Sequence, residues 1–329
     1  MFVWKIKNVL SSIASKAFDL DKLIQQRNKR YILAYHRIVP TEVARAQRVD
    51  ESMWVSPETF SDQIDWMMRI GDMVDIETIL NFKRGHTRPL FSITIDDGWK
   101  DNYEYAFPIL KKYGIKATIF LATSAIETGH LFWPEEIAIK TFDVVRRGDH
   151  SNVDDYLTRA GYFREREKAL DDFIEHLKEL PTITRRQIIA DYYARISADT
   201  KPICGFTLTW NEVAEMARYG IRFGSHTHTH MILNVCSDEE ALHELRLSKE
   251  ILTAKLGQNV DLFCYPNARY KPTDGALLEK TGYKFGFRLH NLPVDDQCSP
   301  YFIPRILVNE SLYQNPSYFK LKLLEAPRY

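Results

Sequence analysis

Short apolar runs alternate with capped helical segments along this chain, and that rhythm limits its fold more than any other feature. FSITI (91–95), KATIFLA (116–122), IRFGS (221–225), LFCY (262–265), YKFGFRL (283–289) and FIPRILV (302–308) have the length and composition of buried strands. YILA (31–34) is another. Helices are predicted between them. Ser56 and Pro57 start one, with Phe60, Ile64 and Met67 on its apolar face. A second, over about 103–113, stops at Gly114. Thr209 with Glu212 and Ser237 with Glu240 form capping boxes, and the helices they open end at Gly220 and Gly257. Strand–helix alternation requires parallel pairing through right-handed crossovers, so the fold class is α/β, as a sheet or a barrel. Both place their chemistry at the C-terminal ends of strands. Asp96-Asp97 and the histidine cluster at 226–230 each follow a strand end.

One stretch departs from the rhythm. Residues 134–200 carry 25 charged residues in 67, and FREREKALDDFIEHLKEL (163–180) reads as an amphipathic helix stopped by Pro181. This is a helical insertion on the same rim as the site, serving as a lid, a substrate collar, a solvated decoration or an oligomer contact.

The 44 Lys and Arg residues balance 44 Asp and Glu. A phosphate-backbone binder carries a basic excess, so no nucleic-acid partner is expected. The four cysteines form no CxxC pair and read as free thiols in a reducing compartment. Near the N-terminus, Lys5 and Lys7 interrupt what a signal peptide needs as an unbroken apolar run. Phe2, Ile6, Val9, Ile13 and Ala17 instead share one helical face, and residues 1–30 carry seven Lys or Arg against two Asp. Residues 1–28 are therefore expected to form an amphipathic helix. It either packs on the domain over 29–329 or lies on an anionic membrane surface. The expected location is cytoplasmic, and peripheral at the inner membrane face where the helix takes the second of these two courses.

SHTHTH (225–230) concentrates three of the ten histidines within five residues. His226 and His230, four apart, share one face of a tight turn or helix and can share a metal. Asp96 and Asp97 in ITIDDG repel each other and need a cation, donors or solvent to stay ionised together. Two histidines and one carboxylate hold a divalent ion with positions open for water and substrate. The second carboxylate is then free to act as a base.

These residues resemble the motifs of the polysaccharide deacetylases, the NodB-homology carbohydrate esterases. Thr94-Ile95-Asp96-Asp97-Gly98 is similar to their T-F-D-D-G, and His226-Thr227-His228-Thr229-His230 to their H-[ST]-x-x-H. Phe263-Cys264-Tyr265-Pro266-Asn267-Ala268 is closer to a Y-P-x-G variant than to R-P-P-Y-G, with Cys264 where the usual motif arginine stands. The late L-x-H motif is missing. Tyr35-His36-Arg37, after YILA, instead resembles the start of the circularly permuted exopolysaccharide de-N-acetylases. The resemblance implies a distorted, incomplete (β/α) barrel. It implies Asp96 as general base and His36 as general acid, with Asp97, His226 and His230 as metal ligands and His228 as a spacer. Tyr265 inherits the backbone N–H of the oxyanion site, and Arg305 in FIPRILV is the substitute brace for Asp96.

The implied cofactor is a divalent ion, preferentially zinc. The implied partner is an N-acylated amino sugar, most simply N-acetylated, in a polysaccharide or glycan precursor. Two other functions fit the same residues: N-deformylation or deacetylation of a lipid-linked sugar at the membrane face, and a glycan-binding homologue without activity.

Overall fold

The computed structural model describes residues 18–81, 85–313 and 315–324. The apolar face expected over residues 2–17 lies outside these; within 18–28 there is a helix at Leu20–Arg27. Ten strands follow in order. They are β1 (Arg30–Tyr35), β2 (Arg37–Ile38), β3 (Trp54–Val55), β4 (Asp72–Met73) and β5 (Leu90–Ile95). Then come β6 (Thr118–Leu121), β7 (Arg222–Ser225), β8 (Leu262–Cys264), β9 (Phe285–Leu289) and β10 (Ile303–Leu307).

Seven of them close into a parallel ring, β1-β10-β9-β8-β7-β6-β5, with β5 returning to β1 along its whole length. The barrel is one strand short of the eight of a complete (β/α)₈ barrel. The short β4 pairs beside the first residues of β5, where β6 does not reach, and β6 pairs beside the last. This is the distorted, incomplete barrel that the resemblance implied. β1 and β5 are buried along their full lengths, which is why they read as continuous apolar runs rather than alternating ones.

Register sets the height of the site. Tyr35 lies level with Ile95, so His36 and Asp96 leave the barrel side by side, and the Asp96 N–H donates to the Tyr35 carbonyl at 2.9 Å. Leu121 lies level with Ser225, so His226 emerges next to the end of β6. Packing at this level needs glycine in β7. A Cβ on Gly224 would meet the Phe120 ring at 2.6 Å and the Leu262 carbonyl oxygen at 3.0 Å.

Both capping boxes form, and Gly114, Gly220 and Gly257 end their helices in the left-handed conformation. The helix read as 103–113 has a first segment, Asn102–Ala106, of wider π type before Phe107–Tyr113. Of the six helices between β6 and β7, the middle four make up the insertion: Trp133–Arg146, His150–Arg159, Arg166–Lys178 and Thr182–Arg195. They enclose a core of their own, with Leu157, Phe173 and Tyr192 at its centre. The Tyr192 hydroxyl lies 2.8 Å from the Thr141 hydroxyl, satisfying the polar end of a buried ring. All four cysteines are unpaired, and no helix among the described residues is long and apolar enough to cross a membrane.

Candidate active site

The two adjacent carboxylates occupy different environments because the backbone turns sharply between them. Asp97 and Gly98 both have positive φ, +75° and +79°. A left-handed aspartate is uncommon, and such strain concentrates at functional sites. Asp96, 2% exposed, is gripped by Arg305 through two parallel bonds, Nη1 to Oδ1 and Nη2 to Oδ2, each 2.7 Å. The same guanidinium donates to the Thr94 hydroxyl at 3.0 Å and reaches the Cys264 sulfur at 2.7 Å. The His36 Nε2 stands 3.7 Å from Asp96 Oδ2. Asp97, 3% exposed, has none of these partners. Its Oδ2 accepts from the Trp99 indole at 2.9 Å, and its Oδ1 lies 3.3 Å from both His226 Nε2 and His230 Nε2.

The histidine turn is itself held in place. The His226 Nδ1 lies 2.8 Å from the Cys264 carbonyl, which makes Nδ1 the protonated nitrogen and aims Nε2 at Asp97. Thr227 and His230 have positive φ, +65° and +56°, a conformation a β-branched residue adopts only when its surroundings impose it. The Glu244 carboxylate imposes it by accepting from the N–H groups of His228 and Thr229 and from the Thr229 hydroxyl. The Thr227 hydroxyl also accepts from the Met231 N–H. As a result His228 turns off the cluster, with Nδ1 2.8 Å from the Thr123 hydroxyl, in keeping with a spacer. Phe132 packs on His230 with ring centroids 4.8 Å apart.

The electrostatics follow from these contacts. Burial pushes both carboxyls up. For Asp96 the charge and hydrogen bonds of Arg305, with His226 and His36 behind them, outweigh burial and hold it below the usual carboxylate range. For Asp97 the hydrogen bonds from His226 and His230 outweigh burial and hold it well below that range. Burial raises the Cys264 thiol, so it stays protonated beside Asp96.

Asp97, His226 and His230 each offer one ligand atom, and these atoms lie within 4.8 Å of one another. The set is two nitrogens and one oxygen from a carboxylate whose other oxygen accepts from Trp99, which fits a divalent ion such as zinc. Asp96, His226 and Cys264 meet the same spacing. They suit a cation less, because the Arg305 guanidinium already lies on both Asp96 oxygens and on the sulfur.

The structure thus brings Asp96, Asp97, His36, His226, His230 and Arg305 into one cluster. Tyr265 is a correction. Its N–H donates to the Phe287 carbonyl at 3.1 Å, inside the β8–β9 ladder, so it presents no free donor to an oxyanion. Its ring stacks on Phe302, and its hydroxyl donates to the Tyr301 carbonyl at 3.0 Å. Sequence reasoning placed Cys264 at the motif arginine's position but gave it no role; it braces His226 through its carbonyl and faces Asp96 with its thiol, while Trp99 and Glu244 were missed altogether. The position of Trp99, two residues after Asp97, was a usable signal; Glu244 lies inside a helix and left none.

The family model for polysaccharide deacetylase matches residues 83–286, more than half the chain. This chain belongs to the polysaccharide deacetylase family. Among relatives, it is 26% identical over 194 residues to YxkH of Bacillus subtilis (strain 168), covering 59% of this chain and 42% of that protein. The match therefore takes in less than half of YxkH. It is 22% identical over 314 residues to the poly-beta-1,6-N-acetyl-D-glucosamine N-deacetylase of Staphylococcus aureus (strain MSSA476), covering 89% of this chain and 83% of that one. The fold is similar to that of the Streptococcus pyogenes deacetylase PplD, solved in complex with acetate, with a TM-score of 0.59 and 20% identity over 91% of this chain and 99% of that chain.

Proposed function

We propose that this family member is a metal-dependent hydrolase that removes an N-acetyl group from an amino sugar of a polysaccharide or glycan precursor. The observation that carries this reading is the placement of Asp97 Oδ1 at 3.3 Å from two imidazole nitrogens, directly beside a carboxylate held in a different way. Asp97, His226 and His230 hold the ion, with zinc as the preferred metal. A divalent ion there supplies polarisation of the acyl carbonyl and lowers the pKa of a water from about 15.7 towards about 7.

Asp96 takes a proton from the attacking water as its oxygen adds to the acyl carbon. Arg305 keeps Asp96 ionised and fixes the direction of its lone pairs. His36 delivers a proton to the sugar nitrogen as the carbon–nitrogen bond breaks. The products are acetate and a free amine. The site excludes bulk water, since the acid, the base and the ligands are nearly all buried, and that strengthens each of these charge interactions.

The Staphylococcus aureus relative is named for poly-β-1,6-N-acetylglucosamine, and this polymer is the first substrate to test. Acetate release from its oligomers is expected from zinc-loaded protein, to be lost on chelation and recovered on adding zinc back. Acetate release unaffected by complete metal removal would overturn the reading. The basic stretch over residues 1–30 supports a cytoplasmic protein at the inner membrane face. Deletion of residues 1–17 is then expected to release it from anionic vesicles.

A further inference from the structure

The four helices of the insertion stand on the same rim as the site. They are anchored to the barrel rim at two places besides their own ends. Arg48, in the connection beyond β2, pairs with Glu167 at 2.9 Å and lies 3.5 Å above the Phe142 ring. Arg269, beyond β8, pairs with Glu175 at 3.1 Å and with Glu179. Around the ring, these anchors beyond β1 and β8, with the insertion's own roots after β6 and before β7, span the arc from β1 through β5, β6 and β7 to β8. The remaining arc is β9 and β10.

The inner side of this wall reaches the metal ligands. Phe132, at the root of the first helix, lies on His230 and 5.1 Å from the Trp99 ring. Glu135 follows in the first turn of that helix, and Lys178 ends the third. Glu135 feels the charges of Asp97, Lys178 and Arg37, and Lys178 also acts on His230. Burial, reinforced by Asp97, pushes the Glu135 carboxyl up to about 7. No step of the proposed hydrolysis uses either side chain.

We infer that the insertion makes this a one-ended site, which takes a single acylated amino sugar or the terminal residue of a chain from the β9–β10 side, with Glu135 facing its far end. A polymer held through an internal residue must leave the site in two directions, and a wall along most of the rim leaves one. A carboxyl bonds sugar hydroxyls by accepting through its oxygens and, when protonated, by donating its O–H. This inference rests on the proposed function for its ligand class.

The test uses β-1,6-linked N-acetylglucosamine oligomers of one to six residues with the full-length, zinc-loaded protein. Mass spectrometry of products labelled at the reducing end is expected to place the lost acetyl on one terminal residue. Loss from internal residues overturns the inference. Calorimetric binding of the same oligomers to the Asp96→Asn protein is read separately and needs no turnover. Affinity is expected to level off by two residues, and a rise continuing to six overturns the inference. Length-limited binding without acetate release from the wild-type protein counts against the hydrolase reading alone; no binding at any length overturns both. In the same assay Glu135→Ala is expected to raise KM about tenfold, the scale of one lost hydrogen bond. Unchanged kcat, metal content and melting temperature, and recovery in Glu135→Gln, separate this from a structural role. A wild-type KM in Glu135→Ala removes Glu135 from the inference.

Discussion

The barrel rim and the helical insertion are built on different terms. On the rim, side chains are fixed by buried, multiply bonded contacts: two 2.7 Å bonds on Asp96, an indole on Asp97, a carbonyl on His226. The insertion has its own apolar core, and exposed or half-exposed ion pairs fasten it to the rim at Arg48 and Arg269. Exposed pairs contribute little, about 0–1 kcal/mol each, whereas removing one partner of a buried pair costs about 3–5 kcal/mol. The rim is therefore the rigid part and the insertion the adjustable part. Chemistry belongs to the first and access to the second.

The largest effects are expected where this contrast is sharpest. Asp97→Ala or His226→Ala should abolish zinc binding and acetate release together, as measured by metal content and turnover. A variant that keeps one zinc per chain would break the assignment of the ligand set. Metal affinity is also expected to fall on acidification, because His226 and His230 must present unprotonated Nε2 to the ion. Competition titrations at several pH values would show it.

Asp96→Asn comes next. It should retain zinc and lose about 10²–10⁴ in kcat, the range for a positioned base. It also strands the Arg305 charge, so a loss of about 3–5 kcal/mol in stability is expected. The double variant Asp96→Asn with Arg305→Met separates the two effects. Stability should recover while activity does not. Recovery of activity with stability would mean that Asp96 serves only to neutralise Arg305.

Much of the rim was legible in the sequence, and for a physical reason. Buried parallel strands read as apolar runs, and the residues just past them, Asp96, Asp97 and His226, stand out as polar groups in FSITIDDG and RFGSHTHTH. Arg305 was visible as the only charge in FIPRILV, a strand that would otherwise be wholly apolar. Tyr265 was misread because the motif gives its place in the chain, while the partner of its N–H depends on where β9 lies across the ladder. The motif resemblance implied a barrel, but that it closes through β1 on β5 was not legible, since pairing partners distant in sequence leave no local trace. The insertion was legible as helical through its charge density and periodicity. Its anchors were not, because Arg48, Glu167 and Arg269 look like any solvated charges until the fold brings them together.

A core substitution in each region should sharpen the comparison further. Phe173→Ala opens the insertion core and is expected to cost about 3–5 kcal/mol there. Zinc content should stay unchanged, because Asp97, His226 and His230 stand beyond the ends of β5 and β7 and not on the insertion helices. Gly224→Ala acts on the barrel, where the new methyl must displace the Phe120 ring. Overpacking of this kind costs about 1–3 kcal/mol. That ring lies 5.4 Å from the Arg305 guanidinium, which holds Asp96. The smaller change in stability should therefore carry the larger change in kcat. If Phe173→Ala lowered kcat more than Gly224→Ala at equal folded fraction, the insertion would be part of the chemical machinery and not only of its access.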